Sequence, residues 1–150
     1  MRLTTRGRYA VTAMLDLAIH LDTGPVALSE IADRHGISQP YLEQLFARLR
    51  KQGLVDGLRG PHGGYKLGRP GNTISIADVI DAVDESIDAT GCSGQQNCRG
   101  DRPCLTHDLW EDLSYQIRNY LSGLSLSELV KRKDQKTLSR KNPTTVPSLT

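Results

Sequence analysis

Cys92, Cys98 and Cys104 are the three cysteines of the chain, spaced C-x5-C-x5-C, and His107 follows the last at x2. They lie in and beside a stretch, Asp88 to Pro103, that is small, polar and glycine-containing and has almost no apolar side chains. Such a segment is either disordered or organised by something other than a hydrophobic core. Clustered thiols with an imidazole are soft ligands for zinc or for an iron–sulfur cluster, whereas an odd cysteine count fits poorly with a closed set of disulfides. The gaps are wider than the C-x2-C pairs of zinc knuckles, and wide gaps favour a larger guest such as a [2Fe–2S] cluster. On the residues alone, zinc stays open as an alternative. So do unligated cysteines with His107 merely capping the next helix.

A second set of residues suits a polyanion. Ser38, Gln39, Glu43 and Gln44 fall at the start of a helix that follows Gly36-Ile37-Ser38. That is where a recognition helix in the major groove reaches base edges. Arg48, Arg50 and Lys51, farther along, are candidates to neutralise phosphates, and Arg59 with Gly60, in a glycine-rich stretch, to enter a narrowed minor groove. Residues 34–70 hold seven Lys and Arg against two acids, so the positive excess sits where these residues are. Glu43 is the exception: an acid facing phosphates costs affinity, and its use would be to accept from a cytosine amino group or to repel non-cognate sequences.

The elements that must position these residues are legible as periodic runs. Thr4 or Thr5 is a candidate cap for a first helix with Val11, Met14, Leu15, Ala18, Ile19 and Leu21 at helical spacing, broken by Asp22-Thr23-Gly24-Pro25. Leu28 to His35 reads as a short helix begun by Ser29 and stopped by Gly36. Ser38 starts a third, with Pro40 just inside and Tyr41, Leu42, Leu45, Phe46 and Leu49 on one face. Two helices joined this way match a helix-turn-helix. Leu54-Val55 and Tyr65-Lys66-Leu67 are strand candidates around a tip spanning Gly57 to Gly64, which makes the motif a winged one. A fourth helix, Ile76 to Val83, opens at Ser75 or Asn72-Thr73. A longer helix carries Leu109, Leu113, Ile117, Tyr120 and Leu121, and a last short one carries Leu124, Leu126, Leu129 and Val130. Trp110 reads as core or dimer packing, and His20, His35 and His62 as surface or loop residues.

The division expected is therefore a mainly α chain. It comprises a winged helix-turn-helix domain (1–83), a cluster-binding loop (84–106), a long dimerisation helix with a short C-terminal one (107–133), and a disordered basic tail (134–150). With 150 residues, 37% hydrophobic content and 5% aromatics, the core must be built from Leu, Ile, Val and Ala. Charge is segregated: 10 basic against 6 acidic residues over 1–70, 3 against 10 over 71–130, and 6 against 1 over 131–150. A basic face for a polyanion beside an acidic body accounts for that pattern. No apolar run approaches the roughly 18 residues of a membrane span, and the basic-then-apolar start lacks the features of a secretory signal. No hydrolase constellation, phosphate-binding glycine loop or dinucleotide fingerprint is present, so catalysis is not expected.

Taken together, MRLTTRGRYAVTAMLDLA, SQPYLEQLFARLRKQGLV, RGPHGGYKL, AVDESIDATGC and CLTHDLW resemble the IscR family of bacterial winged-helix iron–sulfur regulators, over residues 1–131. The resemblance implies a cytoplasmic, nucleoid-associated homodimer with a [2Fe–2S] cluster on Cys92, Cys98, Cys104 and His107, supplied by the cluster-assembly machinery. It implies binding to double-stranded promoter operators and repression of the cluster-assembly operon when the cluster is loaded, with control of further promoters as repressor or activator. It further implies that the helix from about His107 to Ser122 pairs with its two-fold mate. Gln39-Pro40 and His62 depart from the family pattern and bear on base contacts near the recognition-helix start and the wing. Three rival readings stand beside this one: a zinc-stabilised DNA-binding module, a nitric-oxide or oxidative-stress sensor using the same ligands, and an electron carrier, against which the winged helix argues.

Overall fold

The computed structural model describes residues 4–84, 90, 95–96, 99–100 and 102–141, with backbone only for 137–141. Helix α1, Thr5–Ile19, buries Ala10, Ala13, Met14, Leu17 and Ala18. Three of these are alanines, small enough to let neighbouring elements approach its backbone. Thr4 is the N-cap residue, although its side chain makes no capping bond. Ile19 and Leu21, which the spacing assigned to the interior, are exposed. The helix ends at Ile19 and the chain enters a single 3-10 turn, Leu21–Thr23, so the apolar stripe outlasts the element that would bury it.

Helices α2, Leu28–His35, and α3, Gln39–Lys51, form the expected helix-turn-helix. Gly36 closes α2 at φ 65, a left-handed conformation that costs glycine nothing. Buried Ile37 anchors the turn, and Ser38 Oγ accepts the Tyr41 N–H at 3.3 Å. Pro40 sits in the first turn of α3, where a missing N–H is no loss. The start of α2 differs from expectation: Ala27, not Ser29, is the capping position, and the Glu30 carboxylate accepts the Ala27 N–H at 3.3 Å.

Strands β1, Val55–Leu58, and β2, Gly64–Leu67, pair antiparallel with Val55 opposite Leu67 and Leu58 opposite Gly64. The strands are longer than the apolar residues alone suggested. Gly57 and Gly64 belong to them, and the wing tip is residues 59–63. Tyr65 exchanges backbone hydrogen bonds of 2.8 and 2.9 Å with Val26, which fastens the wing to the linker ahead of α2.

Helix α4, Ile76–Ala82, is capped reciprocally: Ser75 Oγ accepts the Asp78 N–H and Asp78 Oδ2 accepts the Ser75 N–H, both at 3.0 Å. Helices α5, His107–Ser122, and α6, Leu126–Lys141, are the last two elements among the described residues. The Ile76 N–H donates to the Leu124 carbonyl at 2.9 Å and the Leu126 N–H to the Ile74 carbonyl at 3.0 Å, so the starts of α4 and α6 are tied together. Helix α6 runs past Lys133 to Lys141 and so enters the stretch expected to be a disordered tail. Residues 131–141 are mostly good helix formers without glycine or proline, and Pro143 is the first breaker. Residues 142–150 lie outside the described ones.

One core joins these elements. Met14 of α1, Leu42, Leu45, Phe46 and Leu49 of α3, Val79 and Ile80 of α4, and Leu126 of α6 are buried together. Phe46 meets Tyr65 of the wing with ring centroids 4.8 Å apart. Because the core grips only the inner face of α3, the opposite face is left to solvent. No helix among the described residues is long and apolar enough to cross a membrane.

Candidate nucleic-acid interface and metal centre

Ser38, Gln39, Glu43, Gln44, Arg48, Arg50, Lys51, Arg59 and Gly60 are all exposed. With Leu42, Leu45, Phe46 and Leu49 turned inward, the 3.6-residue period puts Gln44 and Lys51 at the centre of the outer face. Glu43 and Arg50 share one flank of it and Arg48 stands on the other. The wing follows the helix-turn-helix directly, and Arg59 and Gly60 are in its tip. At Gly60 φ is 114, and an added Cβ would meet nothing within 4 Å, so the tip backbone is bare.

Counting charges overstates this surface. Of the seven basic residues between 34 and 70, three are engaged within the chain. Arg34 forks onto Asp16 (2.9 and 2.7 Å), Arg69 reaches Asp78 (3.1 Å), and Arg48 reaches Asp84 (3.0 Å) and the Val83 carbonyl (3.2 Å). Arg50, Lys51, Arg59 and Lys66 make no ion pair among the described residues. They are the cations of this region that remain for a polyanion.

Sequence reasoning missed Asp16. Its side chain, 2% exposed, accepts from Arg34 and lies 2.7 Å from His35 Nε2, while His20 Nδ1 is 3.2 Å away. Burial pushes its carboxyl up, but the hydrogen bonds from Arg34 and His35 and the charges of Arg34 and His20 outweigh that and hold it below the usual aspartate range. Its position was the available signal, since an acid within the apolar stripe of α1 demands partners. His35, though at the surface, thus helps to join α2 to α1, and His20 meets the same carboxylate from the end of α1.

At the other end, α5 starts with His107, whose side chain is inside. Its N–H donates to the Cys104 carbonyl at 3.1 Å, which holds the two expected ligands on one turn. Cys104 Sγ is 3.7 Å from Thr106 Oγ1, and Trp110 Nε1–H donates to that same hydroxyl at 3.0 Å. Trp110 therefore stands beside the expected ligands, and not in the core. Glu111 Oε2 is 3.3 Å from His107 Nε2. Upstream, Arg99 and Arg102 exchange backbone hydrogen bonds of 2.9 and 3.4 Å around Gly100 at φ 75. Cys92 and Cys98 lie outside the described residues. A partly buried thiol and a buried imidazole on one turn are a donor pair that fits a metal cluster or an ion.

The chain as a whole is similar to known proteins. The family model Rrf2, an iron-dependent transcriptional regulator, matches residues 3–132. Over 134 residues the chain is 60% identical to the HTH-type transcriptional regulator IscR of Xenorhabdus nematophila, spanning 89% of this chain and 82% of that one. It is 58% identical to IscR of Yersinia pseudotuberculosis over the same length, with 89% and 82% covered. Among solved structures it is similar to T. potens IscR, with TM-score 0.75, 38% identity and coverage of 91% and 90%. It is also similar to CymR, the global cysteine regulator of B. subtilis, with TM-score 0.76, 31% identity and coverage of 88% and 98%.

Proposed function

This chain belongs to the Rrf2 family and is an IscR-like helix-turn-helix transcriptional regulator, and from that premise we propose that it senses iron–sulfur cluster supply and adjusts promoter binding to it. The observation that carries the proposal is the C-x5-C-x5-C-x2-H set, ending on the first residue of α5, in the same chain as a winged helix with an open recognition face. Cys92, Cys98, Cys104 and His107 would hold a [2Fe–2S] cluster delivered by the assembly machinery. When bound, the cluster supplies a reversible cross-link whose presence reports the iron and sulfide available to the cell.

The rest of the mechanism belongs to the chain's own residues. Ser38, Gln39, Glu43 and Gln44 face base edges from the start of α3, Arg50 and Lys51 face phosphates, and Arg59 and Gly60 bring the wing to a neighbouring groove. The exposed face of α5 seats a second copy, so that two recognition helices address two half-sites. Ligation by Cys92, Cys98, Cys104 and His107 would tie the chain beyond α4 to the start of α5. DNA that favours the tied dimer would then bind it more tightly and, by reciprocity, hold the ligated state. A coupling of about 1–3 kcal/mol changes occupancy roughly 5- to 150-fold, sufficient to shut the cluster-assembly operon when clusters are plentiful.

Anaerobic purification tests this, with a visible spectrum and iron, sulfide and zinc assays on one sample. About two irons and two sulfides per chain, lost in Cys92→Ala while fold and dimer persist, are expected, together with operator binding that differs between loaded and cluster-free protein. A colourless chain with about one zinc after anaerobic reconstitution would overturn the cluster and leave a zinc-stabilised DNA-binding module.

A further inference from the structure

Arg48 stands on the flank of α3 that faces α4. Its Nη1 donates to the Val83 carbonyl at 3.2 Å and to Asp84 Oδ2 at 3.0 Å. Val83 is the residue that closes α4, so its carbonyl is among those a helix end leaves without an intrahelical donor. Asp84 has φ 57, a left-handed conformation uncommon outside glycine, and its N–H is tied back to the Asp81 carbonyl at 3.1 Å. Asp81 in turn takes both arms of Arg118 from α5, at 3.1 and 2.6 Å. Helix α4 is therefore held from two sides, by the recognition helix through Arg48 and by the helix that begins with His107 through Arg118. Beyond Asp84 the sequence enters the segment with Cys92 and Cys98.

We propose that Arg48 is a positioning residue and not a phosphate contact. It sets the angle of α3 against the exit turn of α4 and so carries changes at the cluster segment to the base-reading face. A guanidinium engaged by a carboxylate and a helix-end carbonyl is largely neutralised as a partner for DNA. The pair is also too exposed to hold the fold together, with Arg48 43% and Asp84 76% exposed, so its removal leaves a folded protein to measure. This inference rests on the regulatory reading above.

The experiment uses the full chain, cluster-loaded and cluster-free, titrated across salt concentrations with a duplex that the wild type has enriched from a randomised pool. Arg48→Ala and Asp84→Asn are each expected to weaken binding about two- to fivefold, and the double variant to be no weaker than either single one. The salt dependence stays that of the wild type, and the affinity ratio between loaded and cluster-free forms moves toward one while iron content is unchanged. Thermal unfolding establishes that each variant is folded. A phosphate contact gives the opposite signs: Arg48→Ala flattens the salt slope by about one ion, and Asp84→Asn binds more tightly because an acid is gone. That result, unchanged affinity, or additive losses would overturn the proposal. A wild type that enriches no duplex removes the regulatory reading and this inference with it. A wild type that binds while the variants depart from the expected pattern removes this inference alone.

Discussion

The carboxylate of Asp16 holds the first helix of the helix-turn-helix against α1 through Arg34, which forks onto both oxygens at 2.9 and 2.7 Å, and His35, 2.7 Å from Oδ2. Replacing it with asparagine removes the charge but nearly keeps the shape. We expect Asp16→Asn to destabilise the chain by about 1–2 kcal/mol, a magnitude held down because Arg34 is partly solvated. The pH dependence follows from a carboxyl held below its ordinary range. Its contribution is present at neutral pH and above the unfolded value of about 4. It is lost as pH falls below that toward the folded value. Chemical denaturation of wild type and variant should show a constant gap down to about pH 4 that narrows below it. A gap that widened in acid would contradict the assignment.

At the scale of the element, the wing shows why a hairpin needs its glycines at particular places. Gly64 has φ 154, and a Cβ there would come within 2.5 Å of the Val26 backbone, at the point where Tyr65 pairs with Val26. Gly60, in the tip, has open space around it. Gly64→Ala should therefore cost about 1–3 kcal/mol and speed amide exchange at Tyr65. Gly60→Ala should pay only its own backbone strain and leave that amide protected. Equal effects from both substitutions would mean that the wing is not anchored at Val26. The hairpin was legible from its strand residues and glycines, but the division between tip and strand was not. Backbone pairing carried β1 through Gly57 and Leu58, residues with no strand signal of their own.

Across the whole molecule, α5 is the element whose sequence and surroundings disagree within a single chain. Its apolar spacing is that of a packed helix, yet among its residues only His107 is buried, and Leu109 (57%) and Tyr120 (59%) are largely exposed. Trp110 and Leu113 join them on the surface, an apolar area of the kind that marks an interface. If a second copy covers it, Leu113→Arg should turn a dimer into a monomer in sedimentation at micromolar concentration, with helix content retained and DNA affinity lost. A dimer that survives the substitution would move the interface elsewhere. Charge also has to be read at this scale, since three of the basic residues around the recognition helix answer acids of α1, of α4 and of the turn that leaves α4.

Periodicity, glycine placement and cysteine spacing determined the six α-helices among the described residues, the winged helix-turn-helix and the candidate ligands, because each of these is written in neighbouring residues. The limit of α6 shows the weakness of composition as a guide: a polar, basic run reads as a tail, but without glycine or proline it continues a helix that Leu124 and Leu126 have already seated in the core. Only the tertiary structure decided which charges face outward. Asp16 meets Arg34 and His35, and Arg48 meets Asp84, across separations that no local pattern encodes. The physical reason is that burial and ion pairing depend on which helices the core brings together, and that is a property of the packed chain, not of any window along it.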